Sequence, residues 1–239
     1  MAAAKAFSGF ALRNGFIAEL DRQYPSLLSA WQHPGVRVTS KRETHFLYAV
    51  EGAALSCRAG RFWLGAGMVA SVPGEFSVLR GSGIIVTRED WLGVFMLSGP
   101  VEEQGRLRYI DGCTDSLLLP PVMRGDPCLN LLYFPPGIEQ TMHTHPSDRI
   151  GMILSGCGQC EHVKNGVVHR TELKPGMLFC IHTDGLHRFR TPYSQPMRVL
   201  AYHPDSDFGP THEEHPMLNR TIVDGVSARF IDEIRTKAP

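Results

Sequence analysis

The chain has 239 residues, 43% of them hydrophobic, and its 24 Lys and Arg balance its 24 Asp and Glu. That length can bury a substantial core, as one large β domain or two small ones. A formal charge of zero excludes the global field that would hold nucleic acid or an anionic membrane, so the partner expected is a small molecule. Glycine and proline are plentiful, and they break the hydrophobic sequence into short runs, which favours strands and turns over helices. The six cysteines are scattered, apart from Cys157 and Cys160. No basic-then-apolar signal segment opens the chain, and no apolar run approaches the roughly 18 residues of a membrane helix. A soluble, reducing, cytoplasmic setting with free thiols is the expectation.

In chain order, residues 1–35 read as an N-terminal arm. Phe16, Ile17 and Leu20 have helical spacing, Pro25 interrupts it, and Tyr24, Leu27, Leu28 and Trp31 are expected to pack as a lid or a subunit contact. Residues 36–100 are β-like: HFLYAV, ALSCRA, RFWL, MVASV and IIVT alternate with Gly-rich turns. Residues 101–128, punctuated by Pro120, Pro121 and Pro127, read as a connector. Residues 129–205 form a second β-like block, with runs such as NLLYF, IGMIL, VVHRTEL and MLFCI. Residues 206–239 begin as a polar loop, and Val226, Phe230, Ile231 and Ile234 then predict a short amphipathic helix.

The two blocks resemble each other. RIGMILSGCGQC aligns with HFLYAVEGAALS, matching Gly156 to Gly52, and LKPGMLFCIH aligns with LGAGMVASVP, matching Gly176 to Gly67. The shared order of the two matches indicates an internal repeat.

Chemistry concentrates in residues 137–156, GIEQTMHTHPSDRIGMILSG. Residues two apart on a strand share a face, so His143 and His145 project side by side as adjacent metal ligands would. A third histidine, His187, follows in PGMLFCIHTDGLH. The spacing from Gly137 through His143, His145 and Arg149 to Gly156 resembles the first motif of the cupin family. The spacing from Gly176 through His182, Asp184 and His187 to Thr191 is similar to its second motif. The resemblance implies an all-β fold of two cupin barrels, of the double-stranded β-helix or jelly-roll kind, with short flanking helices. It implies a divalent metal in the second barrel, held by His143, His145 and His187.

The family's glutamate ligand is Arg149 here, and a guanidinium cannot bind a metal. Three neutral imidazoles remain, leaving open positions for a small molecule. Imidazole suits iron, zinc, nickel, manganese or copper. Within the family, three-histidine sites resemble those of dioxygenases that use ferrous iron, so Fe(II) is favoured. Arg149 is expected to orient an anionic substrate bidentately, or else to pair at the rim with Asp148 or Glu172. Met152, Leu154 and Phe179 could wall the site.

Other residues are candidates of lower weight. Glu139 shares strand parity with His143 and could supply the missing carboxylate, although a supporting or surface role is the favoured reading, and a bulge could bring in Asp148 as a fourth ligand. His182 replaces the family's proline, and Tyr202 and His203 are acid–base candidates at a strand end. The first block lacks the ligands: Thr39 and Lys41 stand for the two histidines, His45 for Arg149 and Val78 for His187, while Pro73 survives. It is expected to be scaffold, interface or pocket wall. Cys157 and Cys160 have no second pair and read as free thiols. The function expected is a metal-dependent enzyme on a small organic, possibly anionic, molecule. The alternatives are a ligand-binding or sensor protein without turnover, or a redox-neutral isomerase or lyase. Family analogy implies a homodimer.

Overall fold

The computed structural model describes residues 5–237, and strands dominate them. The chain runs β1 (Phe7–Phe10), β2 (Gly15–Leu20), β3 (Ser26–Trp31), β4 (Gly35–Val38), β5 (Thr44–Ala49), β6 (Ala53–Cys57), β7 (Gly60–Leu64), β8 (Val69–Pro73), β9 (Phe76–Leu79), β10 (Gly83–Arg88) and β11 (Met96–Ser98). It continues through β12 (Leu107–Arg108), β13 (Thr114–Leu119), β14 (Cys128–Phe134), β15 (Arg149–Gly156), β16 (Gly158–Lys164), β17 (Val167–Leu173), β18 (Leu178–Ile181), β19 (His187–Arg190) and β20 (Met197–His203).

These strands make two similar two-sheet barrels. In the first, a sheet ordered β11-β8-β5-β10-β3-β2 packs on β4-β9-β6-β7; in the second, β1-β18-β15-β20-β14-β13-β12 packs on β17-β16-β19. The registers repeat as well: His45 pairs with Val72 as Arg149 pairs with Ile181. The internal repeat read from sequence is therefore carried by the backbone pairing.

The long sheets are buried on both faces. On β15, Ile150 and Met152 enter a core shared with Phe46 and Tyr48 of β5, while Ile153 points the other way, into the second barrel's own core with Phe179 and Val199. Trp31, Leu47 and Leu55 fill the first barrel. Burial on both faces is why THFLYA and RIGMIL are nearly continuous apolar runs rather than alternating ones.

Several expectations need correction. Residues 7–31 are not an arm or a lid: β2 and β3 belong to the first barrel, and β1 pairs with β18, closing an edge of the second. Ile17 and Leu20 look helical because the β2–β3 register slips between Phe16 and Ala18, and the bulge places buried residues three apart on a strand. The connector contains β12 and β13, which extend the second barrel's sheet. No α-helix forms over Val226–Ile234: Val226–Ser227 pairs with Ile222–Val223 and Ala228–Phe230 makes a 3-10 turn, while a short helix, α1 (Pro216–Arg220), precedes them. Phe230 is 75% exposed there. Among the described residues no helix is long and apolar enough to cross a membrane.

Candidate metal centre

His143 and His145 lie on the stretch between β14 and β15, and His187 opens β19. An isolated bridge pairs His143 with His187, continuing the short sheet of the second barrel. The three rings converge: their centroids stand 5.0, 4.5 and 5.2 Å apart, and one nitrogen from each lies within 4.8 Å of the others. The expected ligand set is brought together.

Tautomers follow from the partners. His143 Nδ1 lies 2.8 Å from the Thr141 carbonyl and His187 Nδ1 lies 2.8 Å from the Gly185 carbonyl. A carbonyl only accepts, so both Nδ1 atoms carry the proton and both Nε2 lone pairs are free to bind a metal. The Thr141 backbone is itself held by Asp111, whose carboxylate accepts from the Thr141 amide at 2.7 Å and from its hydroxyl at 3.2 Å. Asp184 donates its amide to the His145 carbonyl at 2.8 Å, tying the two ligand loops together. Asp184 stands at the family's glycine position and keeps the left-handed backbone, with φ of 57°; Asp tolerates that region better than most residues.

Burial keeps the His145 and His187 imidazoles neutral. It pulls His145 down to about 3, helped by the Arg149 charge, and His187 down to about 4. Neutral imidazole is the form that binds a metal. Three nitrogen donors with free lone pairs, and no carboxylate among them, suit a transition metal rather than magnesium or calcium.

The rings open into a cavity of about 70 Å³ lined by Tyr109, Asn130, Arg149, Phe179 and His203, among others. Arg149 turns into this cavity and is not a rim residue paired with Asp148 or Glu172. Its Nη1 donates to Ser147 and to the Asp148 carbonyl, and lies 3.7 Å from the Asp205 carboxylate. Asp205 therefore offsets part of the positive charge that the sequence left uncompensated. Arg149 Nε and Asn130 Oδ1 are buried without a protein partner. A far wider cleft, of about 1360 Å³, opens on the first barrel beside Val36, Phe76 and Phe95, but no histidine lines it. The donor chemistry favours the smaller cavity.

Other expected residues fall elsewhere. Tyr202 is not at the site: its neighbours Ala201 and His203 face the cavity, and strand alternation sends Tyr202 into the core between the barrels, where its ring lies 5.0 Å from Phe46. His203 is the strand-end residue that does line the cavity, and burial holds it well below the ordinary histidine value. Glu139 turns outward to Arg188 at 2.6 Å and Arg190 at 2.9 Å. The parity argument for it fails because the chain shifts one residue in register between the Glu139–Arg190 and His143–His187 bridges; Gln140 takes the inward position. Asp148 faces away from the histidines, toward Asp21, Thr183 and His182. Met152 and Leu154 belong to the inter-barrel core, whereas Phe179 walls the cavity. Cys157 and Cys160 are unbridged, one half-buried and one in the core.

In the first barrel the true counterpart of the His143–His187 bridge is the pair Val36–Val78. Val36, rather than Thr39, stands for His143, because the loop before β5 is longer than the one before β15. His45 does correspond to Arg149; it is buried and holds Thr87 Oγ1 through Nδ1 at 2.8 Å.

Sequence reasoning missed Asp111, Asn130 and Asp205. Each lies far along the chain from the motifs, and no short-range pattern marks them.

The cupin domain family matches residues 130–203. A comparison with curated proteins finds no match. Among solved structures, protein Ylba from E. coli is similar over 88% of this chain and 96% of its own, at 14% identity and a TM-score of 0.60. Oxalate decarboxylase of Bacillus subtilis, described with Mn(II) centres, is similar over 97% of this chain and 87% of its own, at 11% identity and 0.53. Salicylate 1,2-dioxygenase from Pseudoaminobacter salicylatoxidans is similar over 81% and 72%, at 11% identity and 0.59. Such low identities speak to the fold alone. Residues 130–203 therefore carry a cupin domain, and the repeated two-sheet topology gives the chain the fold of the cupin proteins it is similar to.

Proposed function

We propose that this protein is a metal-dependent enzyme acting on a small carboxylate, most specifically a three-histidine ferrous dioxygenase. The observation that carries the reading is the convergence of three imidazoles with no carboxylate among them. Held by His143, His145 and His187, a ferrous ion would supply O2 activation and Lewis acidity at its open positions. The chain's own residues do the rest. The Thr141 and Gly185 carbonyls orient two of the rings. Arg149, with its Nε unpaired, offers a charge-assisted donor to a substrate carboxylate. Asn130 Oδ1 accepts from a hydroxyl or amine on the same molecule. Phe179, Phe134 and Phe189 exclude water behind it. The small cavity supports a small acid, and two of the fold neighbours carry oxalate and salicylate in their names.

The test is O2 uptake by iron-loaded protein against a panel of small carboxylates and their neutral amides. Uptake with acids and not with amides is expected. Turnover of neutral compounds only would overturn the role of Arg149. Tight metal and acid binding without O2 uptake would favour a sensor, and turnover without O2 a lyase or isomerase.

A further inference from the structure

A second cluster lies on the long sheet of the second barrel, on the face turned away from the histidine cavity. Asp148 precedes β15, Cys180 is on β18 and His182 follows it. Asp148 Oδ2 stands 3.2 Å from Cys180 Sγ and 3.4 Å from His182 Nδ1, and Cys180 Sγ stands 3.6 Å from His182 Nδ1. With zinc–oxygen and zinc–nitrogen bonds of about 2.0–2.2 Å and zinc–sulfur bonds of about 2.3 Å, the ligand atoms of a tetrahedral ion lie roughly 3.3–3.7 Å apart. The triangle has close to those dimensions.

We propose that Asp148, Cys180 and His182 form a second metal site, of the zinc class, that fastens the N-terminal strand and the first barrel to the second barrel.

Each ligand is oriented from behind, as metal ligands are. The far nitrogen of His182, Nε2, lies 2.6 Å from Ser8 Oγ on β1. The other oxygen of Asp148 accepts from the Thr183 amide at 2.8 Å and its hydroxyl at 3.0 Å. Asp148 also exchanges hydrogen bonds with Asp21, at the end of β2: the Asp21 amide donates to Asp148 Oδ2 at 3.1 Å, and the Asp148 amide donates to Asp21 Oδ2 at 2.9 Å. One ion would thus connect β15 and β18 directly, β1 through Ser8, and the first barrel through Asp21. A thiolate and an imidazole select zinc-like ions over magnesium or calcium. Binding would release the Cys180 thiol proton, and the thiolate then takes the coordination position. Cys180 is fully buried, whereas a quarter of the His182 side chain is exposed, which gives an ion and a completing water their way in.

The test uses full-length protein with His143, His145 and His187 all changed to Ala, titrated with cobalt(II). Expected are one bound equivalent and a thiolate-to-cobalt charge-transfer absorption, which three imidazoles cannot produce. Adding Cys180→Ser should abolish the band, and zinc should raise the thermal midpoint only when Cys180 is present. No band, or a band that survives Cys180→Ser, overturns the proposal. Should the triple variant fail to fold, the count is made in the other direction. Two equivalents of zinc in the unaltered protein and one in Cys180→Ser support the site; equal counts overturn it.

Discussion

His143 and His187 exchange both backbone hydrogen bonds, the His143 amide reaching the His187 carbonyl at 2.9 Å and the His187 amide reaching the His143 carbonyl at 3.0 Å. Their rings therefore stand on one face of a fixed pairing, although 43 residues of intervening chain separate them. The ligand geometry is a property of the backbone rather than of side chains meeting by chance. Replacing His187 by Ala leaves that pairing intact. Metal affinity should fall by more than about 100-fold, while stability of the metal-free protein changes by no more than about 2 kcal/mol. Metal analysis and urea unfolding of the same preparation check both halves; full metal occupancy in the variant would show that the site is wrongly assigned.

Asp111 touches no expected ligand, yet it holds the Thr141 backbone that receives His143 Nδ1–H. Asp111→Ala should cost about 10–100-fold in metal affinity without removing a ligand. Competition against a chromophoric chelator measures it, and unchanged affinity would mean that the Thr141 carbonyl holds its place unaided.

Arg149 can be separated from the metal in the same way. Arg149→Lys keeps a cation but loses the planar fork and the Nε donor. For a carboxylate substrate, KM should rise about 10–100-fold, the value of one or two charge-assisted hydrogen bonds, with kcat less affected. A KM unchanged for acids would place the anion elsewhere in the cavity.

His45 makes the first barrel sensitive to acid. Burial pulls its imidazole down to about 4 from an ordinary 6.5. The unfolded chain takes up this proton below pH 6.5, and the folded chain does so only near pH 4, so stability falls as pH drops through that window. The loss at His45 approaches about 3 kcal/mol. His45→Asn should flatten the pH 7 to pH 4 dependence of the urea midpoint by about that amount. An unaltered slope would assign the acid sensitivity to other groups.

Glu161 is buried beneath three arginines, with Arg170 at 2.8 Å, Arg188 at 2.7 Å and Arg190 at 3.1 Å. Those hydrogen bonds, Arg170 foremost, hold its carboxyl at about 2. Two of the arginines lie on β19, the strand that His187 opens. Glu161→Gln should destabilise the protein by about 2–3 kcal/mol, below the cost of breaking a fully buried pair because the arginine heads reach solvent. Denaturant unfolding checks it; a shift of less than about 0.5 kcal/mol would mean that solvent takes over the arginines without loss.

Local pattern by itself determined the β class, the repeat and the three histidines whose rings converge. Strand alternation, Gly-rich turns and motif spacing are short-range properties that survive in a linear reading. Alternation on β20 also sorts Tyr202 from His203, but only once the sheet says which face is the cavity. Tertiary structure alone decided that β1 crosses to the second barrel, that Asp148 turns from the histidines toward Asp21, and that Glu139 lies outside. Each of these depends on a pairing register: a slip of one residue reverses every side chain beyond it, and the slips at Phe16–Ala18 and between the Glu139 and His143 bridges leave no mark in composition or spacing. Asp111, Asn130 and Asp205 were illegible for a related reason. They act on the site across distances along the chain that only the closed barrel brings to within a hydrogen bond or a cavity wall.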